Sequence, residues 1–162
     1  MINKAVINAG PLVALSLIDQ LDLMPALFTE VWVPQTVFNE VAVAGIGKPG
    51  ARSLQSAQWR RRVRVSPEPD PLLVMELDAG EAEVISLARH LSPCFAVIDE
   101  RRGRRVAQNV YGLPVKGTAG ILVEAQRRGL ISGVRSRLLA PRAAGYFIAD
   151  SVIAAACLSA GE

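Results

Sequence analysis

Histidine occurs once in this chain, at position 90, and cysteine twice, at 94 and 157. The cysteines lie far apart and lack the close pairing that a zinc site needs, so neither a zinc centre nor a disulfide is expected, and reduced thiols suit a cytoplasmic protein. His90 has no adjacent nucleophile and reads as a surface residue near the end of its helix rather than a catalytic base. Aromatic residues make up only 5% of the chain. Trp59 and Tyr111 could stack nucleic-acid bases or serve as core residues. No apolar run approaches the roughly 20 residues that a membrane span requires. Lys4 precedes an apolar stretch as in a signal peptide, but Asn8 and the Gly10-Pro11 turn interrupt it and Asp19 and Asp22 follow, so a soluble, intracellular chain with no membrane partner is expected. Internal repeats and low-complexity tracts are also missing.

What is present is an ample core. With 162 residues, 51% of them hydrophobic and 20% charged, the chain suits one domain over residues 1–162. A net charge of +3 and a pI near 9.2 permit an anionic partner without requiring one.

Short apolar runs alternate with helix-periodic ones. Residues 5–7, 31–33, 63–65, 95–98 and 113–115 read as strands. Pro11 suits the start of a first helix, residues 21–28 form a second, and Pro34 opens a third over 34–44 with Val37, Phe38 and Val41 as its apolar stripe. Residues 45–50 and 66–71 are glycine-rich and proline-rich loops. Helix periodicity returns over 77–91, in an arginine-rich helix after Asp99, and in a helix that Thr118 caps and Gly129 closes. The remainder reads as a helix broken near Pro141 and a last helix over 150–160 capped by Asp150. This alternation predicts an α/β sandwich with a mainly parallel sheet, whose ligands would bind beyond the carboxyl ends of the strands.

That rule singles out Asn8 and Asp99, each the first polar residue after an apolar strand. Glu40 and Glu81, early in amphipathic helices, could join them to give the oxygen donors that Mg²⁺ or Mn²⁺ prefers. Each also has a plain reading: Asp99 as an N-cap, Glu81 or Glu83 as a first-turn partner of the helix dipole, Glu40 on a solvated face. Glu81 and Glu83, two apart, face different sides of one helix.

Basic residues cluster at 59–65 and 100–108. In the second run Arg101, Arg104 and Arg105 share a face, giving either a cationic surface beside an acidic pocket, suited to RNA, or a solvated face paired with nearby carboxylates. The stretch "GIGKPGARS" is not a phosphate-binding loop: proline follows the lysine where Ser or Thr should stand, and the loop leaves a helix rather than a strand.

"VINAGPLVALSLIDQLDLMPALF", "VPQTVFNEV", "GKPGA", "GEAEVISLA", "VIDERRGRRVAQNVYGLPVKGTAGILVEAQRRGLI" and "AGYFIADSVIAAACLSAGE" together resemble PIN-domain proteins, in particular the DUF3368 branch, in order and spacing as well as residue type. The resemblance covers nearly the whole chain. It implies a small α/β/α sandwich and a divalent-metal-dependent ribonuclease, with Glu40, Glu81 and Asp99 catalytic, Asn8 joining them as metal ligands, and Arg101, Arg104 and Arg105 seating the RNA backbone. It further implies a homodimeric toxin neutralised by a small antitoxin protein. Active members have Asp at the Asn8 position and a Thr/Ser pair where this chain has Ala9 and Gly10. A neutral Asn8 removes one negative charge, so a weakened or retired site is expected, the retired form binding RNA or a partner protein.

Overall fold

The computed structural model describes residues 1–57 and 63–162. Trp59 and most of the basic run at 59–65 lie outside the described residues, as does the side chain of Val63. Among the described residues five strands, β1 (Lys4–Ile7), β2 (Glu30–Pro34), β3 (Val63–Arg64), β4 (Phe95–Val97) and β5 (Val115–Lys116), form one sheet in the order β3-β2-β1-β4-β5. Every pairing is parallel. Ala5, Val6 and Ile7 are each 0% exposed. A parallel strand covered on both faces needs such a continuous apolar run, not an alternating one.

Parallel neighbours require crossovers, and these carry the helices: α1 (Ala9–Leu17), α2 (Leu23–Leu27), α3 (Gln35–Phe38), α4 (Ala51–Ser56), α5 (Pro71–Glu76), α6 (Ala79–His90), α7 (Arg101–Asn109), α8 (Thr118–Arg127), α9 (Arg135–Ala143) and α10 (Asp150–Ala160). α6 packs on β1, β2 and β4, with α3, α5 and α7 beside it. α8 packs with α1, α2 and α10, and α9 with α1 and α10, which makes the second helical layer of an α/β/α sandwich. Among the described residues no helix is long and apolar enough to cross a membrane.

Several boundaries differ from the sequence expectation. β4 stops at Val97, although Ile98 N–H still bonds the Lys116 carbonyl at 2.9 Å. β5 begins at Val115 rather than at 113, and β3 ends at Arg64. Pro34 stays in β2 in an extended conformation. The helix it precedes is not uniform: after α3 the chain widens into a π-helical turn, Asn39–Val43, where Ala44 N–H reaches the Asn39 carbonyl at 2.7 Å. α4 and α5 were not anticipated.

Pro141 does not break its helix. It sits in the last turn of α9, where its carbonyl accepts from Tyr146 N at 2.9 Å, and the turn ends instead at Gly145, φ +97°. Thr118 and Asp150 are first helical residues, with Gly117 and Ala149 at the cap positions. Gly129 closes α8 as expected, at φ +73°, with the Gly129 N–H to Gln126 and Leu130 N–H to Ala125 bonds of a Schellman motif. Cys94 and Cys157 are free and buried, and His90 is exposed with Arg64 3.4 Å from its Nε2.

Candidate functional site

The strand order reverses direction between β1 and β4, so a crevice opens at their carboxyl ends. Asn8 leaves β1 there. Its N–H extends the ladder to the Val97 carbonyl at 3.0 Å, and its own carbonyl accepts from Leu12 N at 3.3 Å to begin α1. Its side chain makes no capping bond and is only 8% exposed.

Two other chain segments bring oxygens to the same point. A Cβ built on Gly80 would lie 3.4 Å from Asn8 Oδ1, 3.4 Å from Glu40 Oε2 and 3.5 Å from Asp78 Oδ1. Glu40 comes from the π-helical turn, which inserts an extra residue per turn and so re-aims the side chains after it. Asp78 is the N-cap of α6, its Oδ1 accepting Glu81 N–H at 2.8 Å. Since Gly80 has no side chain, the three oxygens border a small cradle. Burial, with the Asp78 charge beside it, raises the Glu40 pKa above the usual carboxylate range.

Glu81 follows one residue on, 7% exposed, with its carboxyl against Gly103 at the start of α7. Burial, and then the charges of Asp78 and Glu100, push it up to about 7. Glu83 lies elsewhere on the helix, with Oε2 buried and unpartnered.

Asp99 does not cap α7; Glu100 holds that position. Its carboxylate instead turns across the sheet to the start of α8. Oδ1 accepts Thr118 N–H at 2.6 Å, and Oδ2 accepts Thr118 Oγ1–H at 2.6 Å and Tyr146 Oη–H at 2.5 Å. Burial and the Asp99 charge drive the Tyr146 phenol far above its usual pKa, so it remains a donor. Arg104 Nη1 donates to the Ile98 carbonyl at 3.0 Å, tying α7 to the end of β4. Gly117 fits between these groups, since a Cβ there would be 2.8 Å from both Arg104 Nη1 and Asp99 Oδ1.

The three arginines therefore part company. Arg101 and Arg105, four residues apart, stand exposed on one face of α7, while Arg104 is half-buried against the strand end. Their neighbour Arg102 pairs with Glu76 at 2.6 Å. Tyr111 is tied away from a stacking role: its hydroxyl bonds Asp70 at 3.2 Å and Arg89 lies 4.4 Å above its ring.

Asn8 and Glu40 thus meet, with Asp78 as the third oxygen that sequence reasoning missed. Its signal was an Asp three residues before Glu81, the spacing of a helix cap. Glu100 and Tyr146 were missed too, and Tyr146 comes from a segment with no pattern that points to the crevice. Among the described residues no three His, Cys, Asp or Glu side chains are gathered closely enough to hold a metal ion. The oxygen set at Gly80 is of the type a hard divalent cation takes, but one of its three donors is neutral.

No curated protein and no solved structure matches the chain. A family model does, over residues 4–162: DUF3368, described as a PIN domain. With that match spanning almost its full length, and with an all-parallel sheet covered by helices on both faces, the chain belongs to the DUF3368 family of PIN domains.

Proposed function

We propose that this PIN domain is a divalent-metal-dependent endoribonuclease, the toxin of a toxin–antitoxin pair, whose site is weakened by Asn8. The observation that carries the reading is the convergence of Asn8, Glu40 and Asp78 oxygens on the bare edge of Gly80 at the switch point of the sheet. The family resemblance would assign Mg²⁺ or Mn²⁺ to Asn8, Glu40, Glu81 and Asp99, and the geometry adds Asp78 beside Asn8 and Glu40, although the described carboxylates do not close on one ion. Such an ion, when bound, lowers the pKa of water and neutralises charge developing at a phosphodiester. Glu81, pushed up to about 7 by burial and neighbouring charge without an ion, would give up its proton on binding one. Arg101 and Arg105 would lie along the RNA backbone, and Arg104 would keep the Asp99 end of β4 in place. Exposed Val152 and Leu158 on α10 support a homodimer formed through that helix, which light scattering at micromolar concentration tests.

The test is cleavage of a labelled RNA pool with Mn²⁺ or Mg²⁺, beside Asp99→Ala and Asn8→Asp. Cleavage that needs the ion and is lost in Asp99→Ala supports the nuclease. The neutral Asn8 favours a second reading, a catalytically inactive module that binds RNA or a small partner protein. Activity that appears only in Asn8→Asp would select it.

A further inference from the structure

Among the described residues every aromatic side chain but one belongs to the core or packs against it: Phe28, Trp32, Phe38, Phe95, Tyr111 and Tyr146. The exception is Phe147, between α9 and α10, which is 83% exposed. Its neighbours turn the other way, Ile148 being buried and Tyr146 half-buried. Tyr146 fixes where the exposed ring stands. Its Oη–H donates to Asp99 Oδ2 at 2.5 Å, and a Cβ built on Gly10 would lie 2.9 Å from the same oxygen. Consecutive Cα atoms are about 3.8 Å apart, so Phe147 is held beside the carboxyl ends of β1 and β4 with its ring in solvent. On the other face of the sheet α7 flanks the same strand end. It begins directly after Glu100, and Arg104 Nη1 ties it to the Ile98 carbonyl at 3.0 Å, while Arg101 and Arg105 stay exposed. Asp99 therefore lies between a cationic lip and an aromatic one.

We propose that Phe147 is a stacking platform for an unpaired base of single-stranded RNA whose backbone runs along Arg101 and Arg105. This rests on the RNA reading of the crevice, which the nuclease and the inactive module share, and it needs no metal ion. A phenyl ring offers a π-face and no hydrogen-bonding group, so it accepts any base. Aromatic rings beside a cationic track hold single strands in this way without reading their sequence. The exposed arginines favour a polyanion over an apolar protein surface as the occupant. A duplex, whose bases are already stacked on one another, has no free face for the ring.

The test is binding of a short labelled single-stranded RNA, followed by fluorescence anisotropy in chelator, where cleavage that needs a metal ion is silent. Phe147→Ala is expected to weaken binding about tenfold. Phe147→Leu, equally apolar but without a π-face, should lose as much, and Phe147→Trp should bind at least as tightly as the natural protein. The salt slope should stay the same in all three, because no phosphate contact is lost, whereas Arg101→Ala should reduce it. The ring is exposed, so unchanged thermal midpoints are expected throughout. Natural affinity in Phe147→Ala, or full affinity in Phe147→Leu, overturns the proposal while the RNA reading stands. A natural protein with no affinity for the RNA overturns both. A dimer that dissociates in Phe147→Ala while RNA affinity holds would assign the ring to a second copy and overturn the proposal.

Discussion

Asp78 caps the helix that carries Glu81, its Oδ1 accepting the Glu81 N–H at 2.8 Å, and the same carboxylate raises the Glu81 pKa through its charge. The two effects separate by substitution. Asp78→Asn keeps an oxygen acceptor and removes the charge, so Glu81 should titrate below its present value of about 7 with little change in stability. Asp78→Ala removes both, at a cost of about 1 kcal/mol for the missing cap. Carboxyl titration by NMR, beside thermal unfolding, checks both.

The raised Glu81 also sets the sign of a pH dependence. Its folded pKa of about 7 exceeds the ordinary value of 4.5, so the folded state binds more protons between them. Stability from this group is therefore full below about 4.5 and is lost as pH rises through about 7, by at most roughly 3 kcal/mol. Unfolding midpoints in chelator should fall from about pH 5 to about pH 8, and Glu81→Gln should flatten that slope. A slope unchanged in Glu81→Gln would assign it elsewhere.

Asn8→Asp adds a third charge beside Glu40 and Asp78. Without divalent ions it should lower stability above neutral pH, because three carboxylates then crowd Gly80. With millimolar Mn²⁺ the order should invert, giving a larger thermal upshift than the natural protein shows. Equal upshifts would mean that the charge of residue 8 does not govern ion binding.

Two glycines three residues apart should respond oppositely to alanine. At Gly117 the added Cβ meets Arg104 Nη1 and Asp99 Oδ1 at 2.8 Å, and a loss of about 1–3 kcal/mol is expected. At Gly120, within α8, nothing lies closer than 3.8 Å, and alanine should gain up to about 1 kcal/mol from helix propensity. Chemical denaturation of each variant reads both signs.

For the arginines, Arg101→Ala and Arg105→Ala should each weaken RNA binding and reduce the salt slope by about 0.7 for every phosphate the arginine neutralises. Arg104→Ala should lower the unfolding midpoint, because it breaks the bond to the Ile98 carbonyl. A salt slope unchanged by the first two would remove α7 from the proposed RNA surface.

Much of the fold is legible in the residues themselves. "AVI" and "FAV" are continuous apolar runs of the kind that a doubly covered parallel strand needs, and Gly129 marks a helix end by its need for positive φ. Boundaries were harder, since Pro34 and Pro141 have the same fixed φ in a strand end or a helical turn, and only the neighbouring hydrogen bonds decide. For the site, Asn8 and Asp99 follow from strand ends, and Glu40 from its helix. The partners of Asp99 do not: Thr118 is 19 residues away and Tyr146 is 47. No local periodicity encodes a pairing of that span. The π turn that carries Glu40 is likewise invisible to a 3.6-residue pattern.

Tyr146, which reaches Asp99 from beyond α9, also sets the order in which that carboxylate gains its partners. During synthesis the last strand of the sheet leaves the ribosome with Lys116, and Tyr146 follows about thirty residues on, a delay of roughly two to six seconds at ordinary elongation rates. All five strands and Thr118 are outside the ribosome before Tyr146 emerges, so the third hydrogen bond to Asp99 can form only after α9 has left it.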